Sequence, residues 1–144
     1  MGAILADRLR LPFVDSDAEL TRRFSAPARQ IRDEGEPVLR ARERALVQEL
    51  VGGTPWVLAT GGGLWVDLEN RDALRRVARL VVLRAPLATL QARVAGGPDR
   101  PLWAQAEALL ARRATAYADA DLTVDTEARS PAEVAEVILA WWRG

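Results

Sequence analysis

Two aspartates and a run of three glycines stand directly after short apolar segments, and these residue types suit the binding of a small polar ligand. The aspartates are Asp15 and Asp17, and the glycines are Gly61, Gly62 and Gly63. Two carboxylates at one strand end suit a magnesium ion for one and a hydroxylated ligand for the other. Consecutive glycines after a buried strand indicate that a ligand approaches the main chain closely. The simpler alternatives are that Asp17 is only a helix N-cap and that the glycines form only a tight turn.

The elements that must position these residues alternate between short apolar strands and helices. Strands are predicted at 12–14, 56–60, 80–83 and 122–124. Helices are predicted at 3–10, 17–24, 27–51 with a break near Gly35, after Asn70, from Pro86, at about 103–118, and after the cap Ser130-Pro131. In the last helix Val134, Val137, Ile138 and Trp141 form a core stripe. This alternation predicts the α/β class with a parallel sheet covered by helices on both faces.

The carboxyl ends of the strands bring the unusual residues together. Three of the four predicted strands end in such residues: the acidic pair, the glycine run, and Asp125-Thr126. In open parallel sheets the ligand crevice lies beyond the carboxyl ends of the strands. The sequence therefore predicts one site at that edge.

Composition excludes several classes of function. The chain has 144 residues, a formal net charge of zero and no cysteine or histidine, and all 20 basic residues are arginine. Disulfides, thiolate chemistry, histidine catalysis and a Schiff-base lysine are therefore excluded. No bulk charge favours nucleic acid or a membrane surface, and no apolar run has the length of a membrane span. We expect a cytoplasmic protein with a small-molecule substrate.

Most of the arginines are expected to be solvated at the surface, and three stand out by their context. Arg40 follows the apolar Val38-Leu39, and Arg100 lies in the loop GGPDRPLW, where a cation would reach a bound anion. Arg113 lies on the predicted helix after that loop. None of these is convincing by itself.

Taken together, six segments resemble one family. The segments are LPFVDSDAEL, EGEPVLRARE, VLATGGG, DRPLW, ARRATAY and LTVDTEARSP, and their order and spacing resemble those of shikimate kinases across essentially the whole chain. The resemblance implies a nucleoside-monophosphate-kinase-like P-loop fold and transfer of the γ-phosphoryl group of ATP to the 3-hydroxyl of shikimate, in chorismate and aromatic amino acid biosynthesis. It further implies a monomeric single domain over 1–144, with substrate-binding helices at about 17–50 and a short lid at about 94–107.

The resemblance also implies a role for each matching residue on the shikimate side. Asp17 would bind the shikimate hydroxyls and accept the proton of the attacking one. Arg40 and Arg113 would pair with the shikimate carboxylate, a geometry suited to guanidinium forks. The glycine run would let the ring lie against the main chain.

On the nucleotide side, the implied ligands are magnesium and ATP. Asp15 would hold Mg²⁺ through water. Arg100 would close over the phosphates and stabilise charge during transfer, which makes it catalytic together with Asp17. Arg93 and Arg129 would flank the adenine.

The chain departs from the family pattern at its start. Shikimate kinases begin with a strand and a GxxxxGK[ST] loop that cradles the ATP phosphates, whereas MGAILADRL aligns with the helix after that loop. We therefore expect the central strand and the P-loop to be missing and this chain to be nearly inactive. One hypothesis is a misassigned start, with Met1-Gly2 standing at the family's Val-Gly.

Two other functions remain open. The first is a non-catalytic protein, either a decayed copy or a shikimate-binding pseudo-kinase, which keeps the acidic pair and the arginines but does not use ATP. The second is another small-molecule kinase such as a gluconate kinase, against which the combination of acidic pair, glycine run and two arginines argues. On the kinase reading, this chain is expected to bind shikimate weakly at most and to show no measurable ATP binding.

Overall fold

Two compact units make up the part of the chain that the computed structural model describes, residues 1–85 and 114–144. The central unit is Arg10–Ala78. The terminal unit combines Met1–Leu9 with the described residues from Arg79 onward. The prediction of a single domain over the whole chain stays a prediction.

Several predicted features lie outside the described residues. They are the helix expected from Pro86, most of the helix expected at about 103–118, the lid at about 94–107, and Arg93, Arg100 and Arg113.

The helices and strands follow the predicted alternation. In the central unit they are β1 (Phe13–Asp15), α2 (Ser16–Arg23), α3 (Pro27–Glu34), α4 (Glu36–Val51), β2 (Val57–Ala59), α5 (Gly62–Val66) and α6 (Leu68–Arg75). In the terminal unit they are α1 (Gly2–Leu9), β3 (Val81–Arg84), β4 (Leu122–Asp125) and α7 (Pro131–Arg143). Residues 114–117 are also helical.

The described strands pair in parallel, as predicted for the α/β class. In the central unit β1 pairs with β2, and the register places Asp15 opposite Ala59. In the terminal unit β3 pairs with β4, and the register places Arg84 opposite Asp125. Each pair is a two-stranded sheet of its own.

Proline and glycine set the helix boundaries in the central unit. Pro27 is the first residue of α3, where its fixed φ favours a helix start. Gly35 separates α3 from α4 with a φ of 93°, a conformation that glycine adopts without steric cost. The predicted breaks near these two residues are confirmed.

The alternative that Asp17 is a helix N-cap is wrong, because Asp15 caps α2 and accepts from the Ala18 N–H at 3.1 Å. The helix expected after Asn70 begins earlier, at Leu68, with Asp67 as its N-cap. At α7 Ser130 forms the expected cap, with its Oγ accepting from Glu133 N–H at 3.1 Å.

Each unit has its own apolar packing. In the central unit Leu20, Leu39 and Leu46 form a buried cluster. In the terminal unit α1 packs against α7, whose buried residues include Val134 and Ile138 of the predicted stripe. Within the described ranges no helix is long and apolar enough to cross a bilayer.

Candidate functional site

The end of β1 lies next to the glycine run because of the strand register. Asp15 pairs with Ala59, so the chain that leaves β2 through Thr60 reaches Gly61 beside the first turn of α2. Ser16 completes the contact, since its Oγ accepts from the Gly61 N–H at 2.8 Å. The acidic pair and the first glycine therefore belong to one site.

Asp17 lies directly over Gly61. A Cβ placed on Gly61 would overlap the Asp17 carboxylate, with Cγ and Oδ2 each 3.0 Å away. No residue with a side chain fits at this position unless Asp17 moves. The first glycine is thus required by the position of a carboxylate, in addition to any ligand.

Arg40 lies over Gly63 in the same way. A Cβ on Gly63 would overlap the guanidinium, with Cζ and Nη2 each 2.7 Å away. Arg40 comes from the first half of α4, 23 positions before Gly63 in the sequence. The structure thus brings the acid and the arginine that were singled out from the sequence together around the glycine turn, that is, Gly61–Gly63, the N-cap and first two residues of α5.

Two glutamates hold the Arg40 side chain. Nη1 donates to Glu43 Oε1 at 2.6 Å, while Nε and Nη2 donate to Glu36 Oε1 at 3.3 and 3.1 Å. The Glu43 side chain is 3% exposed, whereas that of Glu36 is 60% exposed. Burial acts to lower the pKa of Arg40, but the bonds to Glu43 and Glu36 outweigh burial and raise it. Arg40 therefore keeps its charge although its side chain is only 28% exposed.

Glu43 is a site residue that reasoning from the sequence missed. Burial raises the pKa of its carboxyl, the ion pair with Arg40 opposes that rise, and the nearby charges of Asp17 and Asp67 add to it. The available signal was its spacing, because residues three apart on a helix are neighbours. A glutamate three positions after a candidate ligand-binding arginine is a candidate anchor for that arginine.

Arg44, four positions after Arg40 on the same helix, connects α4 to α6. Its Nη2 lies 2.7 Å from Oδ2 of Asp67, the residue that also caps α6. Asn70 on α6 donates through Nδ2 to the Leu64 carbonyl oxygen at 3.1 Å, which fixes α5. The helix that begins within the glycine run, α5, is thereby anchored to the helix that carries Arg40.

Arg42 is one of the arginines that were expected to be solvated at the surface, but its side chain is only 22% exposed. Its guanidinium lies 3.9 Å from the ring centroid of Phe24 and pairs with Glu34 at 2.6 Å. It also donates to the buried Gln30 at 2.9 Å. These contacts join α3 to α4 and make Arg42 part of the scaffold of the site.

A groove of about 520 Å³ in the central unit does not coincide with this site. Phe13, Leu46 and Leu50 line its apolar part, and Glu19 and Arg23, which form an ion pair, line its polar part. Asp15 also lines it, but neither Asp17 nor Arg40 does. The polar groups around the glycine turn, and not the size of a cavity, therefore identify the site.

The described side chains assigned to the metal ion and the nucleotide form local hydrogen bonds, with partners three or four positions away in the sequence. Asp15 is exposed, and one of its oxygens accepts from Ala18 N–H. Among the described residues no three metal-binding side chains form a group. Arg129, in the terminal unit, donates through Nη1 to the Asp125 carbonyl oxygen at 2.7 Å, within its own loop.

Comparison with known proteins gives one consistent result. The family model of shikimate kinase matches residues 1–143. A shikimate kinase of Pseudomonas syringae pv. tomato is 43% identical over 148 residues, which cover 97% of this chain and 86% of that protein. A shikimate kinase of Persephonella marina is 32% identical over 144 residues, 96% of this chain and 88% of that protein.

Solved structures agree with the sequence relatives. Shikimate kinase from Acinetobacter baumannii in complex with shikimate superposes with a TM-score of 0.91 at 31% identity, covering 99% of this chain and 84% of that one. Shikimate kinase from Aquifex aeolicus gives a TM-score of 0.85 at 27% identity, covering 99% and 88%. The matches extend over nearly all of this chain.

Proposed function

This chain belongs to the shikimate kinase family of phosphotransferases, and we propose that its own substrate is shikimate, phosphorylated on the 3-hydroxyl with ATP as donor. One observation carries the proposal. The Asp17 carboxylate and the Arg40 guanidinium cover the first and third glycines of a single turn. A molecule that carries a carboxylate at one end and hydroxyls at the other matches such a pair.

Arg40 suits the carboxylate of shikimate. A guanidinium has five N–H donors in a planar fork, and three of them are engaged by Glu43 and Glu36. A substrate carboxylate would take the remaining donors and displace the exposed Glu36. Glu43, which is buried, would stay in place and keep the fork oriented.

Asp17 suits the hydroxyls. A carboxylate beside bare glycine main chain accepts hydrogen bonds from a ring that lies flat against that main chain. In the transfer step the 3-hydroxyl oxygen forms a bond to the γ-phosphorus, the bond from that phosphorus to the β–γ bridging oxygen breaks, and ADP leaves. The hydroxyl proton passes to Asp17, which acts as general base.

The residues present fit a magnesium ion that is held mainly by other oxygens. Mg²⁺ usually keeps several waters and takes one or two carboxylates plus substrate phosphates. Asp15, with one carboxylate oxygen beyond the one that caps α2, would supply such a ligand through water. The ion would neutralise charge on the transferred phosphoryl group. Arg129 is assigned to the adenine, and Arg93, Arg100 and Arg113 keep the roles that the family pattern implies.

A shikimate-binding protein without transfer is the second candidate. It is favoured by one observation, namely that the chain contains no lysine to reach the ATP phosphates. This candidate predicts shikimate binding through the same residues, with no ADP release when ATP and Mg²⁺ are added. A coupled assay for ADP separates the two candidates.

The binding claim, common to both candidates, is tested with a matched pair of arginine variants. Calorimetric titration with shikimate is carried out on the unmodified chain, on Arg40→Met and on Arg32→Met. We expect Arg40→Met to weaken affinity about 10- to 100-fold, because a charge-assisted bond to the carboxylate is lost. Arg32, whose side chain is 70% exposed and pairs only with Asp33 in the contacts described, is the control. Equal affinities of the two variants would contradict the role of Arg40.

A further inference from the structure

Ser16 connects the two halves of the site through its side chain. It is the first residue of α2, it is 0% exposed, and its Oγ accepts from the Gly61 N–H at 2.8 Å. The two residues are 45 positions apart in the sequence. A side-chain bond over such a separation restrains the position of both segments.

The location of this bond follows from where the strand ladder stops. The ladder between β1 and β2 ends at the pair Asp15 and Ala59, because the backbone turns into α2 at Ser16. The main chain of Ser16 is then no longer in position to accept from the facing strand. The Ser16 hydroxyl accepts this hydrogen bond instead, so that the two segments stay connected from the end of the ladder to Gly61.

The same bond determines what Gly61 offers to a ligand. The N–H of Gly61 is already donated to Ser16, so it is not one of the donors for a bound molecule. The contribution of Gly61 is the space that its missing Cβ leaves for Asp17. Ligand contacts of the glycine turn are left to Gly62 and Gly63.

We propose that Ser16 is a positioning residue that fixes Gly61 beneath the carboxylate of Asp17 and thereby aligns Asp17 with the substrate hydroxyl. The inference rests on the proposed function for the identity of the ligand. The hydroxyl acts through Asp17 and does not contact substrate. Threonine, which keeps the hydroxyl, preserves the arrangement, and alanine does not.

The first test observes the bond itself and does not depend on any activity. Amide hydrogen exchange of Gly61 is measured by NMR in the unmodified chain, in Ser16→Ala, in Ser16→Thr and in the control Ser25→Ala. We expect Gly61 to be protected in the unmodified chain and to exchange about tenfold faster in Ser16→Ala alone. An unprotected Gly61 in the unmodified chain would overturn the proposal even if Ser16→Ala does not fold.

The second test observes the consequence for Asp17. The ¹³C shift of the Asp17 carboxyl is followed in the same variants, and shikimate affinity is measured alongside. We expect Ser16→Ala to move the carboxyl signal and to weaken affinity about tenfold, while Ser16→Thr stays within about twofold. An unmoved carboxyl signal in folded Ser16→Ala, or a Ser16→Thr as impaired as Ser16→Ala, would overturn the proposal. Failure of the unmodified chain to bind shikimate would instead refute the proposed function, and the exchange and carboxyl data would still judge the role of Ser16.

Discussion

The central and terminal units each pair two parallel strands, but the polar side chains near the strand ends have different partners. In the central unit the bonds join segments far apart in sequence, such as Ser16 with Gly61 and Arg44 with Asp67. In the terminal unit the long-range side-chain bonds connect the two paired strand segments to each other, from Leu80 N–H to Asp121 and from Thr126 Oγ1 to the Arg84 carbonyl oxygen. The Asp125 carboxylate and Arg129 bond within one loop of that unit. In the central unit, charged side chains also meet over the glycine run, with Asp17 over Gly61 and Arg40 over Gly63. The proposed site for shikimate therefore lies in the central unit.

The sharpest way to break this comparison replaces an aspartate at or just after a strand end in each unit. In this chain extended at its N-terminus by a strand and a GxxxxGK[ST] loop, and with ATP and Mg²⁺ present, Asp17→Asn should lower the rate of phosphoryl transfer by about 100- to 10,000-fold, because an amide does not accept the hydroxyl proton. Asp125→Asn should change shikimate affinity less than about twofold, since Asp125 only caps its own turn. Steady-state kinetics and calorimetry, with circular dichroism to confirm the fold, provide the measurement. Full activity of Asp17→Asn would remove this residue from the mechanism.

The next effect concerns the space above the glycine turn. Gly63→Ala places a methyl group where the Arg40 guanidinium lies, so that Arg40 must move away from the substrate carboxylate. We expect shikimate affinity to fall about 10- to 100-fold while the chain remains folded.

Gly53→Ala is the matched control for that substitution. The added methyl group would meet two backbone carbonyl oxygens, that of Glu49 at 3.4 Å and that of Leu50 at 3.7 Å. Titration of both variants should therefore separate them. Normal affinity of Gly63→Ala would mean that the observed place of Arg40 is not needed for binding.

The smallest expected effect is the pH dependence that Glu43 gives to stability. Burial raises the pKa of Glu43 above its ordinary value of 4.5, so the folded chain binds this proton more tightly than the unfolded chain does. The stability that the protonated carboxyl contributes is fully present below pH 4.5 and is lost as pH rises through the raised pKa. Glu43→Gln has no carboxyl group that could lose a proton in this range. The unfolding free energy of Glu43→Gln minus that of the unmodified chain should therefore increase as pH rises above 4.5.

Urea unfolding between about pH 5 and pH 8 measures this difference. Glu19 acts with the opposite sign, because hydrogen bonds from Arg22 and Arg23 lower its pKa to about 2. Its contribution is present above pH 4.5 and is lost as pH falls toward 2, outside the measured range. A difference between Glu43→Gln and the unmodified chain that stays constant with pH would show that Glu43 is not buried as described.

The parts of the site that could be predicted are those that depend on strand ends and on local breaks. Because the carboxyl ends of parallel strands share an edge, Asp17 and the glycine turn were expected to meet, and the structure brings them together. The backbone preferences of Pro27 and Gly35 predicted helix boundaries at these residues, and the structure has boundaries there. Each of these signals is contained in a few consecutive residues.

The parts that could not be predicted depend on three-dimensional contacts or on one-residue shifts. Asp15 caps α2 instead of Asp17 because β1 ends directly at the helix, a boundary that the sequence does not specify to one residue. The roles of Ser16 and Arg42 depend on partners 45 and 12 positions away. No local pattern in the sequence identifies the Gly61 N–H as the partner of Ser16 or Gln30 as a partner of Arg42.

The most direct measurement of the central claim is a crystal structure of this chain soaked with shikimate. We predict that the shikimate carboxylate lies within hydrogen-bonding distance of Arg40, that a ring hydroxyl bonds to Asp17, and that the ring lies against Gly62 and Gly63. Shikimate bound away from the glycine turn, or Asp17 and Arg40 too far apart to contact one molecule of that size, would contradict the account.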